Sequence, residues 1–281
     1  MSHSPLPVTV IISTKNEEQN ILNCINSCHA FDEVIVVDSN STDNTRTIVE
    51  KIGIKMINFT WNGKYPKKKQ WILENVKIKN EWLFFLDADE QFSLDLVEEI
   101  SHFLANSKNR YVAASIPIEY YFMHKLLNHG QKIRKVVFLK PDYCSYPTLN
   151  DLDATGMGEL EGHYQPIING RTAKFKKSII HADEENLSSW LQRHINYAEW
   201  EALIENSFDL RKSLSKLKGV GPRLFLNSRY RSGFIFIYSY FIKFGFLDGR
   251  AGFDYAFSKA WYYWLSKAIN REKNQILKTK K

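Results

Sequence analysis

Cysteine is scarce, with 3 in 281 residues, at positions 24, 28 and 144. That excludes a small secreted scaffold stapled by disulfides. Cys24 and Cys28 stand four apart on an expected helix whose apolar face also holds Ile21 and Ile25. With no other ligands nearby they read as small buried hydrophobes, not metal ligands. No apolar run reaches about 18 residues, so nothing is built to span a bilayer. The opening stretch MSHSPLPVTVIIS has no basic segment ahead of a long apolar one. No secretory signal is visible, and a cytoplasmic, reducing location is the expectation. A Gly-x-Gly-x-x-Gly turn and a Walker-type loop are both missing, which argues against a dinucleotide dehydrogenase and a P-loop enzyme. No nucleic-acid motif occurs, and the basic residues of the second half are interleaved with a helical apolar pattern, so nucleic acid is not an expected partner.

What is present is a globular composition, 44% hydrophobic and 25% charged. Charge is uneven. Residues 1–170 carry 17 Lys and Arg against 21 Asp and Glu, whereas residues 171–281 carry 21 against 10, a surplus of +11. Two readings of that surplus stand open: a solvated basic face, or attraction to an anionic partner such as a membrane surface.

Residues 81–91, EWLFFLDADEQ, organise the chain. Leu83 to Leu86 is a continuous apolar run, the pattern of a strand buried on both faces. Asp87 and Asp89 follow at its carboxyl end, where open α/β sheets bind ligands. Two aspartates one residue apart can share a hard divalent cation, Mg2+ or Mn2+; the plainer alternative is a solvated turn. Strands are also expected at Val8–Ser13, 33–38, 54–59 and Tyr111–Ile118. Helices are expected from the 13–18 segment to about Ala30, from the 39–43 turn to Ile52 (stopped by Gly53), from about Lys67, and from about Leu94 to Leu104. The alternation predicts an α/β fold with a parallel sheet between helices. Polar residues gather at three strand ends: 13–17, Asp38, and the 87–89 pair. From 133 to 180 short strands and glycine-punctuated loops follow, and from Asn186 the pattern is helical. Residues 233–247 (GFIFIYSYFIKFGFL) form an aromatic segment too short to cross a membrane. It is either a core-packing helix or an interfacial one on anionic lipid.

The segments VIISTKNEEQNI, VVDSNSTDNT and FLDADE, in that order and spacing, resemble the family 2 glycosyltransferases of the GT-A type over about residues 7–118. FGFLDGRAGFDYAFSKAWYYWLSKA (244–268) is similar to bacterial lipopolysaccharide-core β-glucosyltransferases. The resemblance implies a GT-A, Rossmann-like, mixed and mainly parallel sheet flanked by helices, with a helical C-terminal extension. It sets a nucleotide-sugar transferase domain at 1–182 and a helical, basic, aromatic-rich region at 183–281 that would associate with membrane or acceptor. Ser13, Thr14, Asn16 and Glu17 would line the nucleotide pocket and Asp38 would bond the base. Lys69 would approach the diphosphate, and Asp87 and Asp89 would hold the ribose and the metal. The implied reaction is inverting, metal-dependent transfer of a hexose from a UDP-sugar, with UDP-glucose the first choice, to a lipopolysaccharide-core or other lipid-linked acceptor at the cytoplasmic face of the inner membrane. A soluble or protein acceptor, or a binding protein without catalysis, is the alternative.

The attacking hydroxyl needs a base. Relatives commonly carry His-Glu where this chain has His163-Tyr164. Glu161, two positions before His163 and on the same face of an extended segment, is the expected base. Glu159 is next in line, and both also fit a solvated loop.

Overall fold

The computed structural model describes residues 4–130, 133–149, 151–152, 158–161, 165–181, 186–207 and 230–279. His163 and the Gly-rich stretch around residues 153–157 lie outside them.

Strands β1 (Leu6–Thr14), β2 (Phe31–Asp38), β3 (Lys55–Asn58) and β4 (Trp82–Asp87) form a parallel set in the order β3-β2-β1-β4. Helices α1 (Ile21–Ser27), α2 (Thr45–Ile52) and α3 (Lys68–Asn75) connect them. Because β1 and β4 are central, both their faces need apolar cover. Val8, Val10, Ile11, Ile12, Leu83, Phe84 and Leu86 have no exposed surface, which is why these strands read as unbroken apolar runs. α2 ends at Gly53, whose φ of 75° is the left-handed cap expected of glycine.

Beyond β4 the sheet turns mixed. β5 (Glu90–Phe92), α4 (Leu94–Asn106), β6 (Ala113–Phe122), β7 (Lys125–Leu127) and β8 (Arg134–Leu139) follow in the chain. β8 inserts antiparallel between β4 and β6. A two-residue pair, β9 (Cys144–Ser145) with β10 (Ile167–Ile168), stands apart. β11 (Thr172–Lys174) and β12 (Ile179–His181) return alongside β6, and β12 also carries β5 on its other side. An aromatic cluster fills this half, with Trp82, Phe103 and Phe138 in mutual contact at centroid distances of 4.5–5.8 Å. Truncating one of these rings to alanine costs about 3–5 kcal/mol.

The described part of the C-terminal region contains the helices α5 (Leu187–Asn206), α6 (Arg231–Ile237) and α7 (Gly249–Thr279). It shares the main core, since Trp200 and Ile204 of α5 pack into it and Trp200 donates to Asp151 Oδ2 at 2.9 Å. A second cluster joins Phe122 and Leu127 to Trp190 and Tyr255. Buried Arg231 binds the helices together through Glu201 and Glu205, each at 2.8 Å.

Three expectations need correcting. α1 stops at Ser27, three residues short of Ala30, because Cys28 begins a turn into β2. The strand expected at Tyr111–Ile118 begins at Ala113 and continues to Phe122. The aromatic segment 233–247 is not one helix: α6 passes into a π-helical stretch, Tyr238–Ile242, then Phe244 takes φ 58° and a 3-10 turn, Gly245–Asp248, leads to α7. Asp248 fixes this break. Its carboxylate accepts the backbone N–H groups of Asn128 and His129, and its carbonyl accepts Lys125 Nζ at 2.8 Å.

Candidate active site

The carboxyl ends of β1, β2 and β4 lie side by side, with Ser13 registered against Val37 and Asp87, and Thr14 against Asp38. The 13–18 and 38–45 segments then close on each other through reciprocal bonds. Asn16 N donates to Ser41 Oγ, Asn16 Oδ1 accepts Thr42 N, and Glu17 N donates to Thr45 Oγ1, each at 2.8 Å. Asn16 adopts φ 56°, a left-handed conformation that asparagine tolerates. Two of the quoted motifs therefore form one interlocked platform.

Asp38 is completely buried, and its two oxygens accept Ser41 N and Ser41 Oγ. In this arrangement it shapes the turn. Buried hydroxyls on the same platform stand differently. Ser13 Oγ, Thr14 Oγ1 and Ser39 Oγ have no hydrogen-bond partner among the described residues. Buried polar atoms without partners are uncommon, and three at adjoining strand ends fit a site that a polar ligand completes.

Lys67, at the N-cap of α3, and Lys68 and Lys69 in its first turn are placed differently. Lys67 pairs with Asp151 at 3.0 Å, both buried. Lys68 donates to Thr14 O at 3.3 Å, and burial pushes its pKa down against the pull of Glu159, Asp87 and Asp38. Lys69 reaches over Phe85 and is close enough to Asp87 to favour its charged form. Glu161 is buried beneath the start of α3, where its Oε1 accepts Lys69 N at 2.5 Å and Gln70 N at 3.1 Å. Burial raises its pKa, opposed by Lys69 and these N–H groups. The carboxylate is a helix cap as well as an acid of weakened strength.

Asp87, Asp89 and Glu90 meet two residues from elsewhere in the chain. The β4–β8 register pairs Phe84 with Phe138, and its continuation sets Lys135 opposite Asp87. Lys135 Nζ lies 2.8 Å from Asp87 Oδ2 and 2.7 Å from Glu90 Oε1. Partial desolvation of the Asp87 carboxyl acts to raise its pKa, but Lys135, and then Lys69, hold it well below the usual range. The pairing of β5 with β12 sets His181 opposite Glu90, and His181 Nε2 lies 3.5 Å from Asp89 Oδ2. Burial, with Asp87 and Glu90 beside it, drives the pKa of Asp89 well up. A divalent cation there would offset that crowding. Among the described residues no three His, Cys, Asp or Glu side chains converge as a complete ligand set. The donors that fit are the Asp89 carboxylate, whose oxygens suit Mg2+ or Mn2+ alike, and the His181 imidazole, which suits Mn2+ better than Mg2+.

Sequence reasoning passed over Lys135, His181 and Glu90. Glu90 adjoins the aspartates and was open to inclusion. Lys135 in KVVF resembles any solvent-facing strand lysine, and His181 follows an apolar pair in a stretch of short strands; only strand register reveals either.

The sequence profile of glycosyl transferase family 2 matches residues 9–156. The chain belongs to that family, and its mixed sheet with helices on both sides is the GT-A fold. A glycosyltransferase of Rickettsia bellii is 36% identical over 140 residues, 49% of this chain and 44% of that protein. The lipopolysaccharide core biosynthesis glycosyltransferase LpsC of Rhizobium meliloti is 35% identical over 107 residues, 36% of this chain and 38% of its own. Both matches span less than half the length of the relative. Among solved structures, the mannosyltransferase PcManGT of Pyrobaculum calidifontis superposes with a TM-score of 0.49 at 13% identity, covering 96% of this chain and 88% of that one.

Proposed function

We propose that the protein transfers a hexose, with inversion, from a UDP-sugar (UDP-glucose the first choice) to a lipopolysaccharide-core or other lipid-linked saccharide. The observation that carries this reading is the meeting of Asp87, Asp89, Lys135 and His181 at one strand end, beside a platform with three unpartnered buried hydroxyls. In this reading Ser13, Thr14, Asn16 and Glu17 wall the nucleotide pocket, with Asp38 holding its turn. Lys69 faces the diphosphate, Asp87 the ribose, and Asp89 with His181 a divalent cation. When bound, that cation stabilises charge on the leaving diphosphate. Glu161 takes the proton of the acceptor hydroxyl, its raised pKa suiting a base. The similarity to LpsC supports the acceptor class.

A panel of nucleotide sugars tests the reading, scored for hydrolysis and thermal stabilisation with and without Mn2+. A donor at 100 times its Kd adds about 2.7 kcal/mol, which raises Tm by about 5–10 °C in a chain of this size. No shift and no hydrolysis with any member would overturn it.

A further inference from the structure

Asp151 lies in the connection between β9 and β10, and nothing in its chain neighbours marks it out. Yet it is 1% exposed, and three donors from elsewhere converge on its carboxylate. Oδ1 accepts the Tyr65 hydroxyl and the Lys67 ammonium, the latter at 3.0 Å, while Oδ2 accepts the Trp200 indole N–H at 2.9 Å. Lys67 is itself buried, with its ammonium 5.9 Å from the Tyr65 ring centre. Both carboxylate oxygens are thus partnered, the condition under which a buried polar network makes its surroundings rigid.

The three donors come from two distant parts of the chain. Lys67 is the N-cap residue of α3, Tyr65 lies just ahead of that helix, and Trp200 sits in α5. The first turn of α3 carries Lys68, whose ammonium reaches Thr14 O at 3.3 Å, and Lys69, whose ammonium lies over Phe85. Residues further along the same connection hold the leading N–H groups of the helix. Lys68 N donates to Glu159 O at 3.0 Å, and Lys69 N and Gln70 N donate to Glu161. Stability alone does not account for a buried ion pair here, since apolar residues of similar volume often serve as well. What the pair supplies is direction. Lys67 drawn to Asp151 fixes where the helix starts, and each residue of the first turn inherits that start.

We propose that Asp151 is a positioning residue for the nucleotide site: by joining Lys67 to Trp200 it sets the first turn of α3, and so holds the Lys68 and Lys69 ammonium groups at the ends of β1 and β4. The inference rests on the transferase reading above, in which Lys69 faces a diphosphate. Asp151 acts without touching the ligand, and α5 contributes to donor binding without entering the site.

Calorimetric titration of the full chain with UDP and with uridine, Mn2+ present in both, tests it. Charged hydrogen bonds to the diphosphate give UDP an expected advantage of about tenfold to a hundredfold over uridine. Asp151→Asn should erase most of that advantage and leave uridine affinity unchanged, a split that a general loss of stability would not produce. Asp151→Asn also leaves the Lys67 charge buried and unpaired, so Lys67→Met is combined with it to remove both charges at once. This double variant should unfold at a higher urea concentration than Asp151→Asn and still lack the UDP advantage. Trp200→Phe keeps a ring in the core but loses the N–H, and should weaken UDP at least threefold with uridine unaffected. In a Lys69→Met background, Asp151→Asn should cost UDP much less than it does in the wild type, because both changes act on one contact. Undiminished UDP affinity in Trp200→Phe or in the double variant overturns the inference. So does a parallel fall of UDP and uridine, or an undiminished cost in the Lys69→Met background. The transferase reading fails separately, if the wild type binds neither UDP nor uridine and hydrolyses no donor.

Discussion

Lys135 bridges two carboxylates, Asp87 and Glu90. Its removal in Lys135→Met leaves Glu90, which is 1% exposed, without its cation, whereas Asp87, 37% exposed, still reaches water. Breaking a buried pair costs about 3–5 kcal/mol; the lower end is expected here, and Glu90→Gln in the same chain should restore most of it in urea denaturation. Glu161 allows a cleaner separation of roles. Glutamine keeps an oxygen to accept Lys69 N and Gln70 N, so Glu161→Gln preserves the cap. As base, Glu161 should lose about 10²–10⁴ in kcat on that change, with UDP affinity unaltered. The pH dependence has a definite sign. The folded pKa is raised, so the native state holds its proton longer, and Glu161 lowers stability as pH climbs from about 4.5 through the folded value. Glu161→Gln should therefore match the wild type in thermal melts below that window and melt at an equal or higher temperature above it. At this scale the sequence was legible where a residue's neighbours in the chain define its setting, as for Asp87 and Asp89. It was opaque for Lys135 and His181, whose partners are 45 or more residues away for the first and 92 for the second.

Among the elements, strands were the easiest to read, because burial on both faces leaves an uninterrupted apolar signature. Residues 233–247 misled for the same reason. Their apolar count argued for a helix, while the break depends on Phe244, on the Asp248 bonds and on a close approach between Gly245 and Gly252, beyond the segment. A Cβ on Gly252 would lie 1.9 Å from Gly245 O. Alanine gains about 1 kcal/mol of helix propensity over glycine, but overpacking against backbone costs about 1–3 kcal/mol or more, so the clash wins. Gly252→Ala should lower Tm by several degrees in calorimetry, and Gly233→Ala, with nothing within 4 Å of its Cβ, should not.

For the molecule as a whole, charge and apolar exposure coincide. Phe234, Phe241, Ile242, Phe244, Leu247 and Phe257 are each about half exposed or more on the C-terminal region, the half with the +11 surplus. No helix among the described residues is long and apolar enough to cross a membrane. Patches of this kind serve as interaction surfaces, and the proposed use is attachment to anionic lipid. Vesicle flotation should show binding that needs anionic lipid and falls with salt. Phe241→Ser with Leu247→Ser should weaken it by about tenfold or more; equal binding to neutral vesicles would remove the electrostatic part.

Asp248 gives these two ends of the molecule a common mooring. One carboxylate grips the root of the hairpin that ends in Met123, and the same residue closes the bend from which the greasy tail departs. Lipid contact on one side of that residue and strand geometry on the other would thus share a single fastening.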